Sequence, residues 1–145
     1  MSEQFTIRPM RESDCGQICL ISSAALGYSC KIEDVRKRIT ELDNDRERVF
    51  VAEADGKAVG YIHAEHYKTL YMEKLVNILG LAVLEEYRKI GAGRALLTEA
   101  ENWAKAEGAA GVRLNSGAQR TEAHRFYRNS GYTMEKEQKR FLKWF

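Results

Sequence analysis

Apolar positions along this chain follow two periods, and the switches between them divide it into elements. Phe5-Thr6-Ile7 predicts a short first strand. Asp14 then precedes Ile18, Ile21 and Ala25 at helical spacing, with Gln17 three residues on as in a capping box. Ile32, Val35, Ile39 and Leu42 repeat at the helical period and predict a second helix, separated from the first by the loop Leu26-Gly27-Tyr28-Ser29-Cys30. Val49 to Ala54 and Lys57 to Glu65 flank Asp55-Gly56, a strong hairpin signal. Leu75 to Val83 is apolar on both faces, as a central strand should be, and Gly80 inside it marks a bulge. From Gly91 to Glu107 a helix is predicted: Ala92, Leu96, Ala100 and Trp103 share a face, Glu101 and Lys105 can pair outside, and Gly108 ends it. Val112 to Asn115 reads as a strand. Thr121 to Ser130 reads as a short helix burying Ala123, Phe126 and Tyr127, stopped by Gly131. Tyr132 to Phe145 holds at most two further strands.

The order is therefore β-α-α-β-β-β-α-β-α-β-β. The Asp55-Gly56 turn requires antiparallel pairing, whereas strand-helix-strand from Leu75 to Asn115 requires a parallel crossover. The fold class is α/β (α+β): a mixed central sheet with helices on both faces. At 145 residues it reads as one domain, 1–145.

Charge narrows the function. There are 23 Lys+Arg against 21 Asp+Glu with the signs scattered, which argues against a nucleic-acid platform. No apolar run approaches the ~20 residues of a membrane span, and Ser2-Glu3-Gln4 is no signal peptide. A soluble, cytoplasmic protein is expected, without membrane or nucleic-acid partners. Pro9 is the single proline, and neither linker nor repeat interrupts the chain. Cys15, Cys19 and Cys30 are an odd set without a Cys-x-x-Cys pair, so no disulfide framework is expected. No His or Cys cluster completes a metal clip around Cys15 and Cys19. They read as small buried hydrophobes, and no metal is expected.

The most informative stretch runs from Leu81 to Leu96: a strand ends, a basic glycine-containing loop follows, and a helix begins. Gly91 and Gly93 let backbone approach a ligand closely, and the first helical turn offers unpaired N–H groups at a positive dipole end. Arg88, Lys89 and Arg94 add the charge that a pyrophosphate needs. A P-loop would require Gly-x-x-x-x-Gly-Lys-Ser/Thr, and a dinucleotide fingerprint a third Gly or Ala where Leu96 stands. Neither is present.

Arg88-Lys89-Ile90-Gly91-Ala92-Gly93 resembles the Arg/Gln-x-x-Gly-x-Gly/Ala loop of the GCN5-related N-acetyltransferase (GNAT) family. Leu81-Ala82-Val83 is similar to its Leu-x-Val strand, and Ala123 to Tyr132 to its Ala-x-x-Phe-Tyr-x-x-x-Gly-Phe/Tyr helix. Ile7-Arg8-Pro9, followed by Asp14 and Ile18, also resembles the family's opening, so the likeness covers essentially the whole chain. It implies acetyl-CoA as co-substrate, with pantetheine in a gap between splayed parallel strands in the middle of the sheet. Leu81, Ala82 and Val83 would meet pantetheine through their backbones, and Arg88, Lys89, Ile90, Gly91, Ala92, Gly93 and Arg94 would hold the pyrophosphate. The Val83 N–H would stabilise the oxyanion of the thioester carbonyl. Tyr127 matches the tyrosine that protonates the leaving thiolate. Arg120 stands where many relatives carry Asn, and would instead reach a phosphate. His124, one turn before Tyr127, is expected to be packed or near the cofactor rather than a base.

Attack on the thioester needs a deprotonated amine, and a free alkyl amine has a pKa near ~10.4. Many relatives carry a Glu before Leu-x-Val. Here Val76-Asn77-Ile78-Leu79-Gly80 has none, although Asn77 can hold a water. Glu73, just before the strand, is the preferred base, ahead of solvent through ordered water; His63 and Glu65 share one face of the neighbouring strand. Tyr28, His63, Tyr71 and Asn77 are the candidates for the acceptor site, with His66 and Tyr67 adding to an aromatic wall suited to a cationic amine. The same aromatics equally suit a homodimer surface. The expected activity is transfer of acetyl to a primary amine of a small molecule. The alternatives are a protein N-terminal or lysine acetyltransferase, or an acyl-CoA sensor without turnover.

Overall fold

The computed structural model describes residues 4–145. They fall into two compact units, one ending at Leu114 and one running Asn115–Phe145.

The first unit is a five-stranded sheet in the order β1-β2-β3-β4-β5. Its strands are β1 (Thr6–Pro9), β2 (Glu47–Ala54), β3 (Lys57–Tyr67), β4 (Leu75–Val83) and β5 (Val112–Leu114), and its helices α1 (Cys15–Leu26), α2 (Ile32–Thr40) and α3 (Ala92–Ala106). Neighbours from β1 to β4 pair antiparallel, and β4 pairs β5 in parallel after the α3 crossover. Asp55 (φ 53) and Gly56 (φ 77) both take left-handed conformations, as a tight turn twisted to match the strands requires.

Side-chain alternation sends Val49, Tyr61 and His63 to the face that carries α1 and α2, where the Ser22 and Tyr61 hydroxyls meet at 2.8 Å. The other face packs on α3: His66 stacks on Trp103 with ring centroids 4.8 Å apart. Helices therefore cover both faces, as expected. Ile21, Val51, Val59, Ile62, Val76, Leu96 and Leu97 are fully buried. Each such side chain stabilises the fold by roughly 1.5–3 kcal/mol relative to exposure.

The start of α1 departs from the sequence reading. The Asp14 side chain makes no cap to the helix. It instead accepts two hydrogen bonds of 2.9 Å from the Arg8 guanidinium and one of 2.8 Å from the Arg11 N–H. Arg8 also donates to Glu53 at 2.6 Å, so its five-donor fork competes successfully for the carboxylate. Gln17, the other half of the expected box, donates to the Ala58 carbonyl.

The second unit contains α4 (Thr121–Asn129). The two strands expected between Tyr132 and Phe145 do not form. Residues 135–140 are Glu-Lys-Glu-Gln-Lys-Arg, with no apolar alternation to bury, and Phe141, Trp144 and Phe145 stand exposed beyond them. Consequently β5 is the edge of the described sheet, and the β4–β5 pair lies at that edge rather than in its middle.

Candidate acetyl-transfer site

The β4–β5 pairing covers Val76–Val112, Asn77–Arg113 and Ile78–Leu114, then stops, while β4 runs on to Val83. The ladder ends where β4 bulges: His63 faces Gly80 and Ala64 faces Ile78, which leaves Leu79 as the extra residue. Beyond it, the Leu84 N–H donates to the Val59 carbonyl at 2.9 Å. Antiparallel partners alternate between exchanging both backbone bonds and exchanging none. The pairs Gly60–Val83 and Ile62–Leu81 are therefore of the second kind. The backbone groups of Leu81 and Val83 point out of the β3–β4 ladder, to the side where β5 has already ended. In agreement, the Val83 carbonyl accepts from Arg88 Nε at 2.9 Å.

After Leu84 the chain winds through a 3-10 segment, Glu85–Ile90, before α3. Gly91 joins them at φ 90, a left-handed conformation that a residue with Cβ adopts only at a cost. The first helical bond runs from the Ala95 N–H to the Gly91 carbonyl. The amides of Ala92, Gly93 and Arg94 thus lead the helix without intrahelical acceptors. Arg88, Lys89 and Arg94 are exposed around this turn, whereas Ala92 is buried beneath it. Dipole, amides and charge together fit a pyrophosphate. The Tyr87 hydroxyl donates to Asp55 at 2.6 Å and anchors the segment to the β2–β3 turn.

On the α1–α2 face lies a cavity of about 200 Å³. Aliphatic side chains from both helices and from β2 form most of its wall, and Tyr61, His63 and Arg38 supply its polar groups. His63 Nε2 lies 2.7 Å from Glu47 Oε1, across β2 and β3. Burial pushes the Glu47 carboxyl up, but the His63 bond, the Asp43 N–H and Arg38 together hold it below the ordinary carboxylate range. Farther along the same face, Asn77 donates to Glu65 at 3.0 Å and accepts from Arg113 at 2.6 Å. Among the described residues, no group of three or more His, Cys, Asp or Glu converges as a metal site.

Within the second unit, the Tyr127 ring meets Phe126 and Tyr132 edge-on, at centroid distances of 5.2 and 6.0 Å. Burial raises the Tyr127 phenol above its ordinary pKa, against a smaller opposing effect of Arg120. Arg120 is exposed at the N-cap of α4. His124 lies 2.8 Å from the Gly117 carbonyl through Nε2, so it packs locally.

The sequence profile of the acetyltransferase (GNAT) family matches residues 17–132. The chain belongs to the GNAT family. An uncharacterized N-acetyltransferase of Chlorobaculum tepidum is 33% identical over 135 residues, 90% of this chain and 77% of that protein. An N-alpha-acetyltransferase of Sulfurisphaera tokodaii is 33% identical over 104 residues, 66% of this chain and 59% of its own length. Among solved structures, aminoglycoside N-acetyltransferase AAC(6')-Iy in complex with CoA superimposes with a TM-score of 0.86 at 18% identity, covering 99% of this chain and 97% of that one. That last likeness concerns the fold alone.

In this GNAT chain, Leu81 to Val83 and Arg88 to Arg94 are consecutive parts of one strand-turn-helix, with backbone directions suited to the roles the motif implies. The acceptor candidates are not gathered in one place. His63 lines the cavity, and Asn77 lies on the same face, engaged by Glu65 and Arg113. Tyr28 and Tyr71 are 62% and 80% exposed, and neither lines the cavity. Glu73 is exposed in the bend before β4 and is also absent from the cavity wall. Sequence reasoning missed Glu47, Tyr61 and Arg38. The alternation Tyr61-His63-Glu65 was a signal for the second, and extending β2 by one alternation before Val49 would have reached the first.

Proposed function

We propose that this GNAT chain transfers the acetyl group of acetyl-CoA to the primary amine of a small molecule, by direct attack of the amine on the thioester. The observation that carries this reading is the outward direction of the Leu81 and Val83 backbone groups, immediately before the cation-flanked N-terminus of α3. Pantetheine would pair with β4 as an added strand would. The Val83 N–H would meet the thioester oxygen, and the amides from Arg88 to Arg94 the pyrophosphate. Tyr127 is the motif's candidate for protonating the leaving thiolate, and its raised pKa keeps it protonated at neutral pH. Arg120 is the candidate for a further phosphate contact.

A cavity of about 200 Å³ with mostly aliphatic walls supports a compact acceptor with an apolar body. Its floor holds His63, which faces Gly80 at the bulge where β4 would present the thioester. The experiment is thiol release from acetyl-CoA with a panel of phenethylamine, spermidine, sisomicin and a peptide with a free N-terminus. Phenethylamine is expected to give the highest kcat/KM. The name of the Sulfurisphaera tokodaii relative favours a second reading, acetylation of protein N-termini, in which the peptide leads instead. Coenzyme A binding without thiol release from any amine would establish the sensor reading. The run Leu70-Tyr71-Met72, exposed between β3 and β4, supports contact with a second copy, which sedimentation tests.

A further inference from the structure

We propose that His63, held by Glu47, takes the ammonium proton of the acceptor amine. The assignment rests on the acetyl-transfer reading and names the group that the β4 sequence lacks. Three observations lead to it. His63 lines the cavity and is about four-fifths buried, with 20% of its side chain exposed. Its Nε2 is 2.7 Å from a carboxylate, which fixes that nitrogen as the N–H donor and leaves Nδ1 as the acceptor. The third is its register with Gly80, the residue at which β4 bulges before Leu81 and Val83.

The arrangement is that of a base oriented by an acid. Glu47 stays ionised, since His63, the Asp43 N–H and Arg38 hold it below the usual range, so it can stabilise the imidazolium as it forms. The groups facing His63 are few. Glu47 comes from β2, Tyr61 and Glu65 from its own strand, and Arg38 from α2, 3.9 Å from Glu47. From β4 come Gly80 and Asn77, and from α1 Ile18 and Ser22, none of them charged. Glu65 accepts from Asn77 and pairs with Arg46 at 3.9 Å. Glu73 is exposed outside the cavity, which leaves His63 as the base that the acceptor meets within it.

The proton balance is complete. The acceptor enters as R–NH3+ and gives one proton to Nδ1, which makes His63 an imidazolium. The freed lone pair forms the C–N bond as the C–S bond of acetyl-CoA breaks. A second proton leaves nitrogen and ends on the coenzyme A sulfur, and the third stays on the amide. His63 then returns its proton to water.

The test uses the wild type with His63→Gln, Glu47→Gln and Glu73→Gln, with acetyl-CoA and phenethylamine, or whichever panel amine turns over best. The His63 Cε1–H resonance is titrated in parallel by NMR, and circular dichroism confirms that each variant folds. In the wild type, the acid limb of kcat/KM should fall at the pKa read from the resonance. Glu47→Gln should lower kcat while coenzyme A binding stays within twofold, because the carboxylate that orients the imidazole is gone. His63→Gln should lose about 10²-fold or more in kcat at neutral pH. It should recover part of that loss at higher pH, where the amine deprotonates unaided. Glu73→Gln should stay within twofold of wild type. A His63→Gln profile that overlays the wild type, or an acid limb that moves only in Glu73→Gln, overturns the assignment alone. A wild type that acetylates no amine overturns the transfer reading, and this assignment with it.

Discussion

Substituting Gly60 by Ala tests whether the backbone of Val83 is held where transfer needs it. Gly60 and Val83 face each other across β3 and β4 in a pair without backbone bonds, the closer of the two kinds of antiparallel pair. A Cβ built on Gly60 lies 3.0 Å from the Ala82 carbonyl oxygen, 3.0 Å from a Val83 methyl and 3.4 Å from a Leu96 methyl. The carbonyl is backbone, and a valine has few rotamers to offer, so the strand itself must yield. Overpacking of this kind costs about 1–3 kcal/mol. With a urea slope of about 2 kcal/mol/M, the unfolding midpoint should fall by roughly 1 M. A displacement of a few tenths of an ångström at Val83 should also lower kcat/KM, roughly fivefold, as misplacing a stabilising group does. Gly80→Ala is the internal control: its Cβ would lie 3.9 Å from the Tyr61 ring, an ordinary contact, at a backbone conformation open to alanine. That variant should match or exceed wild-type stability, by up to about 1 kcal/mol. Equal midpoints and equal kcat/KM for wild type and Gly60→Ala would refute the reasoning, as would equal damage from the two substitutions.

Three further outcomes are expected. Asp14→Asn should cost about 2 kcal/mol, because it takes the bidentate carboxylate from a half-buried guanidinium that keeps only the Glu53 carboxylate. Burial raises the Asp14 carboxyl, but Arg8 and the Arg11 N–H bring it below the ordinary range. Its contribution is therefore present above the unfolded carboxylate pKa and lost as pH falls through the lower folded value, so urea midpoints of the variant should depend less on acid. Gly91→Ala places a Cβ at φ 90 and should cost about 1–2 kcal/mol; calorimetry should show weaker coenzyme A binding. Tyr127→Phe should lower kcat about 10²-fold while coenzyme A binding stays within twofold. In the wild type the alkaline loss of activity should lie above the usual tyrosine range, since burial raises this phenol.

Much of the fold is local and was legible. The span of β4, the Asp55-Gly56 turn and the glycine at the head of α3 follow from periodicity and from backbone conformations open to few residues. The bulge at Gly80 was legible for the same reason. What escaped depends on distant partners. Asp14 looks like a helix cap until Arg8, six residues earlier, is brought beside it. Glu47 lies one alternation before Val49, so the strand pattern reaches it, but only the β2–β3 register brings it beside His63. The apolar residues of the C-terminal stretch suggested strands, yet a strand exists only where another backbone accepts its ladder. Tyr28 and Tyr71 are exposed, and residue type alone does not tell a cavity wall from a surface loop.

The extra residue at Leu79 has an effect beyond marking the end of the β4–β5 ladder. Before it, odd-numbered Asn77 lies on the α1 side, with Val76 and Ile78 toward α3; after it, even-numbered Gly80 and Ala82 take the α1 side, with Leu81 and Val83 toward α3. β4 is thus two half-strands out of phase, like a wave that slips by half a cycle. Removing one residue there would not merely shorten the strand: it would turn the downstream half inside out, sending the Val83 side chain to the α1 side and that of Ala82 toward α3. A register error at this point would therefore exchange the two faces of the downstream half even if every side chain remained apolar, which makes the strand's length a stricter requirement than its composition.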